Sequence, residues 1–359
     1  MKITIHAIRR AFKELWRGLK WQYARCLFLV FGIPIFTGEA LADQPTLGPF
    51  EIPKPKELTI PVSGEAFDVV EALNGAYSDR EHCTQVPGGL WVEVDGTGDC
   101  IRHYPHGFSV GENARALVYF SGDVMLRTAK GVRYIGRSYL DRSPASIDLE
   151  MAEWSQEATV PAIFLARPGT YGSSGDHNQR RHLREIELMN RALDMLKHKY
   201  GISSFIMMGH SAGGQIAAAL LNKRQDVEAA VLTSPLVSVK QVAAYWENRR
   251  EIPGRFLYDA DAFYDPVDEI GEIAKNPLPQ IYVVSDPEDR SVPFFSQLYY
   301  VRRLRAAGFQ PRHIYAHAPG PARHLLAMHG KRAAALLARG QSVSQIRKAL
   351  LELDLRRYE

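Results

Sequence analysis

Gly209-His210-Ser211-Ala212-Gly213, set between the apolar run Phe205 to Met208 and the small-residue stretch Gln215 to Leu221, decides the fold. The apolar run reads as a buried strand and the stretch after it as a helix, so the five residues form the tight turn between them. A serine on such a turn projects its hydroxyl from the sheet edge, and a side chain at either flanking glycine would collide with strand or helix. The following helix aims its first amides and its dipole at the same spot, where a developing oxyanion would be stabilised.

Working outward, short apolar runs alternate with longer ones of helical period from Ala116 onward. The pattern predicts strands at 116–120, 161–166, 205–208, 228–233, 280–285 and 313–316. Helices are expected at 178–199, 213–223, 294–307, 325–337 and 343–354. Such alternation requires crossover connections and so a mostly parallel central sheet covered by helices on both faces, the α/β class. Residues 236–279 are too long for a simple link and carry Tyr245, Trp246, Phe256, Tyr258, Phe263 and Tyr264. An insert there would lie over the carboxyl ends of the strands as a small cap, or its aromatics would merely pack a surface helix pair.

The 359 residues are 46% hydrophobic, ample for a large core. The net charge of +4 is misleading. Of 44 basic and 40 acidic side chains, seven and two fall within the first 42 residues, so the remainder carries 37 against 38, a net of −1. The body therefore gives no bulk electrostatic case for nucleic acid. That leader has a basic segment, an apolar stretch Leu27 to Phe36 and Ala40-Leu41-Ala42, and reads as a signal cleaved after Ala42. The mature chain would then be periplasmic or secreted, with no membrane span; an uncleaved N-terminal anchor is the alternative. Residues 43–115, opened by Pro45, Pro49, Pro53 and Pro55, read as an extended lead-in and the first strands of the same domain as 116–359.

Cysteine usage agrees with export. Cys26 leaves with the leader, and Cys83 and Cys100 flank a strand at Gly88 to Gly96, so a disulfide would staple a small N-terminal sheet. The rival is a metal held by Cys83, Cys100, His103 and His106, but the His-Tyr-Pro-His spacing is wrong for a helical pair and no metal is expected.

A serine hydroxyl is a poor nucleophile unaided, so the turn calls for a histidine base and a carboxylate to orient it, in the order serine, acid, histidine along the chain. Strand 280–285 runs into Asp286-Pro287-Glu288-Asp289-Arg290-Ser291-Val292-Pro293, and strand 313–316 into His317 and, after a Gly/Pro loop, His324. Asp286, Glu288 and Asp289 compete as the acid, and His317 with His324 as the base. His313, His329, His177 and His182 read as solvated or structural.

These stretches resemble the α/β-hydrolases, whose acid commonly stands in Asp-x-x-Val-Pro. Asp289-Arg290-Ser291-Val292-Pro293 matches it and favours Asp289, with Asp286 as a strand-end turn residue. The resemblance also favours His324, ahead of the apolar helix that begins at Leu325. Leu117 to Asp123 is similar to the family's oxyanion loop, which implies that the amide of Gly122 or of Asp123 pairs with that of Ala212. The Gly- and Ser-rich run Ala166 to His177 corresponds to a loop beside the active site, so Tyr171 and Ser173 are expected to line the pocket. His210, inside the turn, is expected at the pocket with its ring directed away from the path of attack.

The resemblance covers about Ala116 to Leu337 and implies a cofactor-free serine hydrolase acting on a small-molecule or acylated substrate, an ester before an amide. Peptidase and acyltransferase chemistry share the same groups. Gly209 to Gly214 also resembles the prolyl oligopeptidase and dienelactone hydrolase relatives, but the stretch ahead of Ala116 is too short for the propeller of the former, which disfavours the peptidase; a non-catalytic binding protein on the same fold is the alternative from another class.

Overall fold

In the computed structural model, which describes residues 44–109, 114–249 and 259–355, eight strands build the central sheet. They are β1 (Gly89–Val94), β2 (Thr97–His106), β3 (Ala114–Phe120), β4 (Ala162–Leu165), β5 (Ile202–His210), β6 (Val227–Thr233), β7 (Gln280–Ser285) and β8 (Arg312–Tyr315). Their order across the sheet is β8-β7-β6-β5-β3-β4-β2-β1. Strands β3 to β8 are parallel, and the β1–β2 hairpin closes one edge antiparallel. The chain leaves β3, forms β4 on one side and crosses back to β5 on the other, so β3 and β5 flank the point where the winding reverses. Open parallel sheets bind ligands there.

Register brings the strand ends together. Phe120 pairs with Gly209, His210 with Thr233, Thr233 with Val284, and Ser285 with Tyr315. The loops beginning at residues 121, 211, 234, 286 and 316 therefore leave from one rim.

The two faces of β3 show why the apolar runs are continuous. Ala116, Val118 and Phe120 join a core with Leu193, Ile216, Leu220 and Leu304, whereas Leu117 and Tyr119 join another with Met151, Trp154, Leu337 and Leu350. Period-two alternation thus puts apolar groups under helices on both sides. The first face is covered by α3 (Leu183–Tyr200), α4 (Ala212–Lys223) and α6 (Phe294–Ala306), the second by α2 (Pro144–Ala158), α7 (Ala327–Ala338) and α8 (Val343–Leu355). Truncating one of these fully buried side chains, Leu117→Ala for example, is expected to cost about 2–5 kcal/mol.

Several elements differ from the sequence expectation. The helix expected from residue 178 begins at Leu183, because Arg181 holds a left-handed φ of 75° with its amide on the Glu185 carboxylate at 2.7 Å. Residues 177–179 form only a short turn capped by Asp176. Helix α2 was not anticipated. Its start is a capping box in which the Ser143 and Ser146 side chains accept from each other's amides, with Pro144 in the first turn.

Cys83 and Cys100 form a disulfide with a Cα–Cα distance of 5.4 Å. Cys83 lies in α1 (Arg80–Gln85), so the expected bridge ties that helix to β2 of the hairpin. His103 is held by Gly88 O at 2.6 Å and Tyr200 Oη at 2.8 Å, so the Cys/His set does not converge. Residues Pro45–Glu359 make one compact unit. No helix among the described residues is long and apolar enough to cross a membrane. The leader and its Ala42 cleavage position, together with Phe256 and Tyr258, lie outside the described residues.

Candidate active site

Ser211 sits between β5 and α4 with φ 55° and ψ −120°, a strained conformation for a residue with a side chain. Neighbouring backbone enforces it: the Ser211 amide donates to Thr233 O and its carbonyl accepts from Leu236, both at 2.9 Å. The turn is possible only with glycine at its flanks. A Cβ on Gly209 would lie 2.3 Å from Gly213 O, and one on Gly213 would lie 2.0 Å from Phe120 O. Strain is concentrated at this rim. Of seven non-glycine residues with positive φ among the described residues, five (Tyr171, Arg181, Ser211, Ser234 and Arg323) are in loops after β4, β5, β6 and β8. Outliers of this kind cluster where a site over-determines the backbone.

The loops after β7 and β8 bring Asp289 to His324. Imidazole Nδ1 lies 2.8 Å from Asp289 Oδ2 and 3.1 Å from Oδ1. The carboxylate also accepts from the amides of Ser291 and Val292 at 2.9 Å each, and from Gln297 Nε2 at 3.2 Å. Four donors leave it one orientation, and a proton on Nδ1 leaves Nε2 to act as base. The His324 ring lies against that of His210, with centroids 5.0 Å apart, and so beside the residue that precedes Ser211. Ser211 and His324 both keep partial exposure to solvent. Among the described residues no hydrogen bond joins the Ser211 hydroxyl to the imidazole, a contact that commonly tightens only when substrate is present.

The competing acid and base go elsewhere. Asp286 is fully buried and accepts from Arg323 Nε and the Ala318 amide, each at 2.8 Å, so it braces the histidine-bearing loop. Glu288 is exposed, 3.7 Å from the same guanidinium. His317 Nδ1 meets Arg323 Nη2 at 2.8 Å, and His329 is buried on Asp354. His313 meets the Ser285 hydroxyl at 3.0 Å. His182 bonds Gln179 O at 2.9 Å, and His177 is buried in a cluster of arginines.

Gly122, just past β3, is close enough to the turn that a Cβ there would fall 3.1 Å from Ser211 Cβ. No hydrogen bond of the described residues uses the amides of Gly122, Asp123 or Ala212. These are the donors that an oxyanion beside Ser211 would need.

Solved structures share this arrangement of strands. A puromycin hydrolase aligns with 74% of this chain and 41% of its own, at 15% identity and a TM-score of 0.50. The chain has the α/β-hydrolase fold. The Pyrococcus furiosus esterase Pf2001 aligns over 79% of this chain and 97% of its own at 10% identity, TM-score 0.49. Est1E from Butyrivibrio proteoclasticus, in a structure with ferulic acid, covers 73% and 98% at 13% identity, TM-score 0.48. The chain thus spans about two fifths of the puromycin hydrolase. Residues 171–291 match the family model described as serine aminopeptidase, S33. No curated protein matches the chain. The family match falls on the middle of the chain, from the loop after β4 to the Asp289 loop, and agrees with the fold.

Two of the three pocket expectations need correction. The His210 ring lies beside Gly122 and His324, with Nδ1 3.1 Å from Thr233 Oγ1. Burial, then the neighbouring His324, pushes its pKa down to about 3, so it stays neutral beside the base. The Ser173 hydroxyl is buried and accepts from the Arg102 amide at 2.9 Å, which makes it a backbone brace for β2. Tyr171 is buried in an aromatic cluster with Phe67, Tyr139 and Phe164, with its phenol beside Ser121. Neither is an open wall of a pocket, because at this rim polar loop groups are needed to satisfy each other.

The 236–279 segment does reach the site. Helix α5 (Val239–Glu247) contributes Val239 and Val242 to a small core with Leu236, Phe263, Val292 and Ala212, and Trp246 Nε1 donates to Ser291 O at 3.1 Å. The insert therefore packs on both the serine turn and the Asp289 loop.

Proposed function

We propose that the chain is an exported serine esterase working through an acyl-enzyme, with Ser211 as nucleophile, His324 as general base and acid, and Asp289 as its orienting partner. The observation that carries the reading is a single one: the Asp289–His324 pair packs through His210 onto a strained serine turn. As Ser211 Oγ bonds to the acyl carbon, its proton passes to His324 Nε2 and the carbonyl electrons move to oxygen, held by the amides of Ala212 and of Gly122 or Asp123. Collapse of this intermediate breaks the ester bond, and the leaving alkoxide takes the proton from Nε2. Water then repeats the sequence, losing a proton to Nε2, releasing the acid and restoring Ser211. No step calls for a metal or organic cofactor, and the substrate is a small or acylated molecule.

Export is supported by the basic and apolar leader ending in Ala40-Leu41-Ala42 and by the Cys83–Cys100 disulfide, which suits an oxidising compartment. A peptidase reading is favoured by the family description and uses the same groups. Turnover of p-nitrophenyl esters of graded chain length, beside peptide anilides, separates the two. The esterase reading expects ester kcat/KM to exceed anilide kcat/KM by at least about 100-fold, and the reverse order would favour the peptidase.

A further inference from the structure

One carboxylate in the rim is surrounded by more cation than any other. Asp123 Oδ1 lies 3.0 Å from Arg167 Nη1, Oδ2 lies 3.1 Å from Arg180 Nε, and Arg181 Nη2 also bonds Oδ2. All three arginines come from the segment between β4 and α3. Arg167 Nη1 additionally approaches Ser121 O at 3.5 Å, so the same guanidinium touches the loop at its backbone and at its side chain. Glu185 closes the ring, accepting from Arg167 Nε at 2.9 Å with one oxygen and from the Arg181 amide at 2.7 Å with the other.

Burial opposes ionisation of Asp123, yet the three guanidinia hold its carboxyl well below the usual carboxylate range. His177, 3.8 Å away, is kept neutral by burial and by Arg167 and Arg180. Three guanidinia against two carboxylates leave the cluster one net positive charge, the sign an oxyanion next to it requires. A carboxylate left only 14% exposed among this many partners is costly to build and would be unnecessary for an ordinary glycine turn.

We propose that the Asp123 side chain is a positioning residue, which through Arg167, Arg180 and Arg181 fixes the 121–123 loop so that its amide faces the Ser211 hydroxyl. The inference rests on the serine-hydrolase reading of Ser211 but concerns a different group. Asp123 sits one residue from Gly122, whose added Cβ would fall 3.1 Å from Ser211 Cβ, and a misplacement of about 1 Å at an oxyanion donor can cost about 100-fold in rate.

The test compares wild type with Asp123→Asn and Arg181→Gln. It uses p-nitrophenyl butyrate turnover normalised to fluorophosphonate-labelled sites, together with amide hydrogen exchange over residues 120–124. Asp123→Asn is expected to lower kcat per labelled site about 100-fold with KM changed by less than about threefold, and to accelerate exchange in the loop. Arg181→Gln, which keeps two of the three cations, is expected to lose about tenfold and covers the case in which the first variant does not fold. Unchanged kcat per site overturns the proposal even if fewer sites are labelled, since that pattern marks a purely structural role. Unchanged loop exchange overturns it as well. Wild-type protein that resists labelling at Ser211 would instead sink the serine-hydrolase reading, and the exchange data would still report whether the clamp exists.

Discussion

The carboxyl rim of the sheet and its hairpin edge are built on opposite principles. At the rim, Ser211, Arg181 and Arg323 hold left-handed backbone angles, and charged groups meet at the half-buried Asp123 and the buried Asp286 and Asp289. At the other edge β1 and β2 join through Asp95-Gly96, with φ 51° and 76°, the residues that a tight hairpin turn prefers. A disulfide then ties the hairpin to α1. Positive φ costs little at Asp95-Gly96 and is costly at Ser211, so it marks turn chemistry in one place and stored strain in the other. Rim substitutions should therefore reduce activity more than stability, and hairpin changes the reverse.

The largest effect should come from Ser211→Ala, which is expected to lower kcat by on the order of 10⁴ or more with an unchanged melting temperature by calorimetry. Next is Asp289→Asn, expected to reduce kcat by about 10³–10⁴ because the imidazole loses its orienting acceptor. Asp286→Asn, three residues away, should stay within about tenfold in kcat, because that carboxylate faces Arg323; equal losses from the two would erase the distinction within the loop.

At the hairpin, reducing Cys83–Cys100 closes no site and should leave kcat unchanged. Urea unfolding should show a loss of about 3 kcal/mol, the expected cost of opening a loop of this length. The effect that is smallest at neutral pH is shared by both regions. Burial holds the pKa of His103 at about 4 and that of His210 at about 3, below the value near 6.5 of an unfolded histidine. The unfolded chain thus binds more protons below that value, and the stability due to neutral burial is complete above about pH 6.5 and lost as pH falls toward 4, at up to about 1.4 kcal/mol per pH unit for each ring. His103→Gln should flatten that slope in a pH series of unfolding curves; an unchanged slope would remove His103 from the account.

The strand series and the serine turn were legible in the sequence because apolar periodicity and flanking glycines are local signals. Asp289 and His324 were legible through chain order and the Asp-x-x-Val-Pro spacing, and the structure sets them 2.8 Å apart. Less legible was anything decided by packing between distant segments. The ring of His210 faces the site because Thr233 of the next strand holds it, and Ser173 is consumed by the Arg102 amide. The Asp123 cluster draws on residues 123, 167, 180, 181 and 185, whose convergence depends on β3 and β4 being neighbours. The adjacent Arg180-Arg181 ahead of α3 was the one hint on the page of the sequence. Helix α2 was missed although Ser143-Pro144 is a start signal, since its weakly amphipathic sequence gave no clear period.

The most direct test of the central claim is to treat the purified protein with a fluorophosphonate and locate the adduct by peptide mass mapping. The account predicts a single phosphonylated residue, Ser211, and no adduct in His324→Ala. An adduct on another residue of the wild-type protein, or none at all under conditions that label a control serine hydrolase, would contradict it.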